Sequence, residues 1–179
     1  MRAGAVLLIL ALLSGCAKVA APFLPAYRDT SVPIASKADF DLGRFAGRWH
    51  EVAKFPVPFQ TGCAGAVADY SPAGPGQVAV RNTCLDPDGR ALRAITGRAR
   101  VTGPGRLDVA LSGVPGAAPL WVLWTDADYR VAVLGQPDGR AGWIVSRDPT
   151  LRPDLMEAAR EVLAFNGYDI ARLVRSGKK

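Results

Sequence analysis

Between residues 45 and 148, short apolar runs alternate with polar positions and are cut at brief intervals by Gly, Pro and Asp. Val67–Tyr70 and Val78–Asn82 flank Ser71-Pro72-Ala73-Gly74-Pro75-Gly76 and read as a hairpin. Leu92–Val101 stops at Thr102-Gly103-Pro104-Gly105, and Leu107–Leu111 sets Leu107, Val109 and Leu111 against Asp108 and Ala110. Leu120–Thr125 stops at Asp126-Ala127-Asp128, Tyr129–Leu134 at Gln136-Pro137-Asp138-Gly139, and Trp143–Ser146 at Asp148-Pro149. With a strand beginning at Trp49 this makes eight short strands at close spacing, the pattern of an all-β sandwich or barrel.

The period then changes. Leu155, Met156, Ala159, Val162 and Leu163 recur at helical spacing. Pro153 suits a first turn, where its missing N–H costs nothing. Asp154 and Glu157 suit the positive end of the helix dipole, and Asn166-Gly167 supplies a stop. Tyr168–Val174 reads as a last short strand, so the expected order is eight strands, one helix, one strand.

The N-terminus reads as an address. Arg2 precedes an apolar run from Ala5 to Leu13, and Leu13-Ser14-Gly15-Cys16 follows. The run is shorter than the roughly 20 residues needed to span a bilayer and has the layout of a secretory signal peptide. Leu-Ser-Gly-Cys also resembles the lipobox of bacterial lipoproteins, in which the cysteine is acylated and becomes the new N-terminus. That resemblance makes Cys16 the lipid anchor. Ala17 after it, in place of Asp, implies the outer membrane, with the periplasmic face as default. The expected division is a signal peptide over 1–15, lipidated Cys16 and a tether over 16–38 carrying Pro22, Pro25 and Pro33, a domain over 39–175, and a basic tail over 176–179.

Composition narrows the functions available. The chain has 179 residues, 49% hydrophobic and 21% charged, too apolar for a disordered protein and of a size for one domain. The net charge is +6 and the pI about 9.6. Loss of Arg2 with the signal leaves 21 basic against 16 acidic residues, or +5. No run of five basic residues occurs, which argues against nucleic acid. One His and three Cys leave little room for a four-ligand zinc site, and no metal or cofactor is expected. With Cys16 acylated, Cys63 and Cys84 remain as a pair in an exported chain, where a disulfide can persist. Placing Ser71 opposite Gly76 sets Val67 opposite Val80 and Cys63 opposite Cys84, directly across the ladder.

Gly47-Arg48-Trp49-His50-Glu51-Val52-Ala53, after Phe40 and Phe45, resembles the Gly-X-Trp motif of the lipocalins on their first barrel strand. Thr125-Asp126-Ala127-Asp128-Tyr129 resembles the second lipocalin motif, Thr-Asp-X-X-Tyr. Ser146-Arg147 before Asp148-Pro149-Thr150 resembles the third, whose Arg packs over the Gly-X-Trp indole. The segment Trp143–Thr150 and the ending Asn166-Gly167-Tyr168-Asp169 look like the outer-membrane lipoprotein branch of that family. The resemblance covers about residues 39–175. It implies an eight-stranded antiparallel up-and-down β-barrel with a C-terminal α-helix and a short final strand. Gly47, Trp49, Thr125, Asp126, Tyr129 and Arg147 are then scaffold, with Trp49 plugging the barrel floor under Arg147. His50 stands where the family commonly has Tyr.

The resemblance also implies a ligand, a fatty acid or lysophospholipid held in the barrel of a membrane-anchored carrier. Strand alternation puts Leu120, Val122 and Trp124 on one face and Trp121 and Leu123 on the other. The likeness favours Leu120 and Trp143 as ligand-facing, and places Phe55 and Phe59 in a loop over the mouth. Arg81, Arg93, Arg98 and Arg100 include candidates for a headgroup. The chain is not expected to be an enzyme, since it has no Gly-X-Ser-X-Gly elbow. Two alternatives stay open: an isomerase or hydrolase using His50, and a structural envelope lipoprotein whose barrel is filled by its own side chains.

Overall fold

The computed structural model describes residues 26–177. The signal peptide, Cys16 and residues 178–179 lie outside the described residues. Eight strands run in chain order: β1 (Gly47–Lys54), β2 (Gly65–Pro72), β3 (Gln77–Leu85), β4 (Ala91–Gly103), β5 (Arg106–Leu111), β6 (Ala118–Thr125), β7 (Val131–Gly135) and β8 (Gly142–Ser146). Each pairs antiparallel with the next, and β1 pairs with both β8 and β2, so the sheet closes on itself. Closure removes the exposed edges that an open meander would present.

The two ends differ. At one end lie the short turns after β2, β4 and β6, together with a four-residue helix α1 (Leu42–Phe45) that enters β1 and that the sequence pattern did not reveal. Asp41 caps α1 by accepting from the Arg44 N–H at 3.1 Å. At the other end lie the longer connections 55–64, 86–90, 112–117 and 136–141. The first will be called the closed end and the second the open end.

Helix α2 (Pro153–Phe165) packs outside the barrel and buries Met156, Ala159 and Leu163 against Val131, Val133 and Ile144. Pro153 stands in its first turn and Asn166 at its C-cap, with Gly167 at φ 82°, as the stop signal requires. The chain after α2 differs from expectation. Tyr168 is not in a strand. Its ring is buried, and its hydroxyl donates to the carbonyls of Gln136 and Ala141 while accepting from the Gln136 N–H. A 3-10 turn at Ile170–Arg172 follows, and only Val174–Arg175 forms the last strand, β9, against the second half of β1.

Four further expectations need correction. Tyr129 does not begin β7. It stands in the turn before it at φ 56°, and its hydroxyl accepts from the Asp41 N–H at 2.8 Å. Nor are residues 17–38 a tether throughout. From Tyr27 onward the chain lies on the barrel, and Arg28 is buried, its guanidinium donating to the carbonyls of Asn166 (3.0 Å), Pro137 (2.6 Å) and Val32. Likewise, the tail's first residues are docked: the Ser176 N–H bonds Val52 and the Gly177 N–H bonds Ala64.

The fourth correction concerns the β2–β3 register. Tyr70, not Val67, stands opposite Val80, and Val67 faces Thr83. The hairpin closes more tightly than Ser71 opposite Gly76: the Ala73 N–H donates to the Gln77 carbonyl and the Gln77 N–H to the Gly74 carbonyl. The three-residue slip is odd, so it exchanges the inner and outer faces of a strand. Cys84 accordingly faces Ala66 on the ladder. The disulfide Cys63–Cys84 nevertheless forms, with Cα atoms 5.3 Å apart, because Cys63 reaches it from the loop ahead of β2. It ties the 55–64 loop to β3 across a separation of 21 residues. Replacing both cysteines by serine is expected to lower the unfolding free energy by about 3 kcal/mol, read as a lower urea midpoint with a slope no smaller than the parent's, because the unfolded chain loses its cross-link.

Candidate functional site

In an antiparallel barrel, residues directly opposite one another share a face, so the pairings sort inside from outside. Tyr70, Val80, Gly97 and Leu111 form one inward row, and Val78, Ala99 and Val109 another. Val101, Leu107 and Leu120 form a third, and Trp49, Ala68, Asn82 and Ile95 a fourth. At the closed end the interior is full: Phe45, Trp49, Leu107 and Val122 are 0% exposed, and Val78 and Ala99 1%.

The Trp49 indole lies across this floor. Its Nε1 donates to the Phe45 carbonyl at 2.8 Å. The Arg147 guanidinium sits 3.8 Å from the ring centroid and donates to the carbonyls of Arg44, Phe45, Ala46 and Arg48. Burial lowers the Arg147 pKa from its ordinary value. Gly47 has φ 104°, and a Cβ there would come within 3.1 Å of the Arg147 Nη1, so both backbone and space call for glycine. Asp126 seals the neighbouring turn. Burial would raise its pKa, but the Val131 and Arg130 N–H groups and the Arg130 guanidinium at 2.7 Å outweigh that and hold the carboxyl below its ordinary value. These motif residues build the floor, and Thr125 is buried beside them.

Toward the open end the same inward rows change character. Ala66, Ala68, Asn82, Ile95, Gly97, Val109, Leu111, Leu120 and Trp143 face inward yet are only half-buried. Inward residues left accessible mean that this half of the barrel is a cup, not a packed core. The small side chains of Ala66 and Ala68 take up little of its volume. At the rim, a pocket of about 470 Å³ lies between Pro56, Phe59, Pro119, Gln136 and Arg140, within the range of small-molecule sites.

The cup also carries a polar group that the sequence reading did not single out. β1 bulges at Val52, so Glu51 shares a face with Val145 and Ala132, and Lys54 with Trp143 and Leu134. Both therefore point inward, with side chains 4% and 11% exposed, and their charged atoms lie 3.0 Å apart. The Lys54 ammonium makes this charge contact without hydrogen-bond alignment. Ser176 donates to the Glu51 carboxylate at 2.6 Å, Gln60 donates to its other oxygen, and the Trp143 indole N–H donates to Gln60 at 3.1 Å. Position alone could have shown Glu51 inside, two residues after Trp49. The bulge that turns Lys54 inward leaves no such trace.

Of the expected ligand-facing residues, the cup brings together Leu120, Trp143 and, at its base, Val122. Trp124 is not among them. An extra residue at Leu123 pairs Trp124 with Val133, and both Leu123 and Trp124 pack on the helix side. Phe55 opens the 55–64 connection at the mouth, but its ring turns away from the cup. It is 0% exposed, stacked between Tyr27 and Tyr168 at 5.0 and 5.1 Å. Phe59 does stand at the mouth, 65% exposed and 6.4 Å from the Trp143 ring. Among the arginines, Arg81, Arg98 and Arg100 lie on outward rows, whereas Arg93 continues the inward row of Ile95 and Cys84 and bonds the Phe59 and Thr61 carbonyls. His50 shares the outward row of Ser146 and Val131, away from the cup.

Comparison with known proteins agrees with this architecture. A family model described as a lipocalin-like domain matches residues 40–178. The chain is 32% identical over 139 residues to the outer membrane lipoprotein Blc of Escherichia coli (strain K12), covering 76% of this chain and 78% of that protein. It is 32% identical over 146 residues to apolipoprotein D of Mus musculus, covering 75% of each. Among solved structures, insecticyanin from Manduca sexta superposes with a TM-score of 0.65 at 23% identity, covering 87% of this chain and 88% of that one. Lobster apocrustacyanin A1 gives 0.63 at 22%, covering 87% and 93%. These structural likenesses carry the fold. With the matched domain, the closed barrel and the three motifs meeting at its floor, the chain belongs to the lipocalin family, in the branch of the bacterial lipocalins.

Proposed function

We propose that the protein is a lipid carrier of the outer membrane, anchored through acylated Cys16, that holds a fatty acid or lysophospholipid tail in the cup without transforming it. The observation that carries this reading is the row of inward apolar residues left accessible, with Leu120 and Trp143 central. A barrel filled by its own side chains would have buried them. A sixteen-carbon tail could gain up to ~12 kcal/mol on transfer at ~0.8 kcal/mol per CH₂, and ordering and immobilisation take back much of it. Micromolar binding is within reach of the remainder. Arg93, inward at the mouth, is the cation placed to meet an anionic headgroup. The name of the relative Blc supports the outer-membrane assignment. Against an enzyme using His50 stands its outward row, away from the ligand's space.

The test is native mass spectrometry of the mature chain, residues 16–179 with Cys16→Ser, against lysophospholipids and fatty acids. One-to-one adducts are expected, recovered chemically unchanged after release. Leu120→Glu is expected to weaken them at least ~30-fold, since a charge would face the tail in an apolar site, while the circular dichroism spectrum stays that of the parent. His50→Ala should leave binding as it was. A well-folded parent that takes up no lipid would overturn the carrier reading in favour of a structural barrel.

A further inference from the structure

The large apolar side chains left exposed among the described residues are Phe59, Leu92, Val114, Phe165 and Val174, and all five lie toward the open end. Phe59 is in the 55–64 loop, Leu92 is the second residue of β4, and Val114 is in the 112–117 turn. Val174 pairs with Lys54 near the end of β1. Phe165 ends α2 beside Asn166, whose carbonyl Arg28 bridges to that of Pro137. Scattered exposed apolar residues need no explanation, but a cluster at one end of a molecule does.

The charges around this end suit a particular partner. The 55–64 and 112–117 connections carry no charged residue. Asp88 and Asp138 are taken up by Arg90 and Arg140, and Asp86 accepts from the backbone N–H groups of Asp88 and Arg90. Arg93 and Arg175 have no carboxylate partner among the described residues. The rim is therefore apolar at its tips and basic beside them, the pairing that suits an anionic lipid surface.

The course of the N-terminal segment points the same way. Ser36 bonds Pro104 in a closed-end turn, whereas Tyr27 bonds Gly139 and Pro56 in open-end connections. Followed backward, the chain thus climbs the outside of the barrel and reaches the open rim at Tyr27. Ten residues separate Tyr27 from Cys16, a reach of at most ~40 Å. The closed end is a strand length below, about 26 Å for eight residues, so a membrane beneath it would take most of that reach for the return.

We propose that the open rim docks on the bilayer that holds the anchor, with Phe59, Leu92 and Val114 entering the headgroup layer, so that the cup faces the lipid surface and exchanges its ligand there without crossing water. This rests on the anchored-carrier reading for its purpose, but the docking is measurable without the anchor. The mature chain with Cys16→Ser is floated with vesicles of phosphatidylethanolamine and phosphatidylglycerol. Leu92→Glu/Val114→Glu is expected to lower the partition coefficient about tenfold or more, and Ser71→Glu at the exposed closed end to change it less than about twofold. Uptake of lysophospholipid dispersed in detergent should persist in the double variant, since neither residue lines the cup, while transfer from vesicles falls with the partition. Equal loss in Ser71→Glu, or no loss in the double variant, would overturn rim docking. A parent that floats yet takes up no lipid by either route would overturn the carrier reading and leave the docking standing.

Discussion

Trp49→Ala is expected to cost about 3–5 kcal/mol of unfolding free energy, the range for removing a large buried aromatic. The indole is 0% exposed, packs tilted against the Phe45 ring at 5.2 Å and donates its N–H to the Phe45 carbonyl. Its loss opens a void at the most tightly packed level of the barrel. It also removes the platform under Arg147, whose cation–π contact is worth about 0.5–2 kcal/mol by itself, so packing outweighs the cation in the total. Arg147→Lys separates the two: it keeps a charge near the ring but surrenders the planar fork that reaches five carbonyls. A smaller loss, about 1–3 kcal/mol, is expected there. Chemical denaturation followed by far-ultraviolet circular dichroism measures both. A Trp49→Ala cost below about 1 kcal/mol would mean that α1 and the 126–130 turn hold the floor without the indole.

What the sequence disclosed, and what it withheld, follows from how each signal is written. Strand number, strand order, α2 and the motif residues at the floor were legible, because alternation, turn residues and capping residues are local. The faces of individual strands were less so. Trp124 reads as inward by alternation, but one extra residue at Leu123 turns it toward the helix. A bulge adds a residue without altering the composition of the run, so counting by twos cannot detect it. The same device at Val52 brings Lys54 inside. The β2–β3 register failed differently. The Cys63–Cys84 pairing was right although the ladder proposed to align it was three residues out, because Cys63 reaches its partner from a loop. Phe55 follows β1 and precedes two prolines, which places it in the open-end connection but does not reveal that its ring turns away from the mouth. Its partners Tyr27 and Tyr168 come from the two ends of the domain, and such long-range packing has no local signature.

The polar group in the cup sets up the other large effect. Glu51→Ala is expected to cost about 3–5 kcal/mol, because it leaves the Lys54 ammonium buried without its counter-charge. Lys54→Met should cost less, since the Glu51 carboxylate keeps its donors Ser176 and Gln60. Glu51→Met/Lys54→Met should recover most of the stability lost in Glu51→Ala, as replacing a whole buried pair by apolar groups of similar size is often near neutral. Under the proposed carrier role, a neutral ion pair would obstruct an apolar tail less than a lone charge, and Glu51 holds Gln60 where it accepts the Trp143 N–H at the mouth. The stabilised double variant is therefore expected to fold as well as the parent but to lose the fixed position of the 55–64 loop, seen as faster amide exchange from Val57 to Gly62. If Glu51→Ala costs less than about 1 kcal/mol, water reaches Lys54 at that depth, and the polar group is part of the open mouth rather than the wall of the cup.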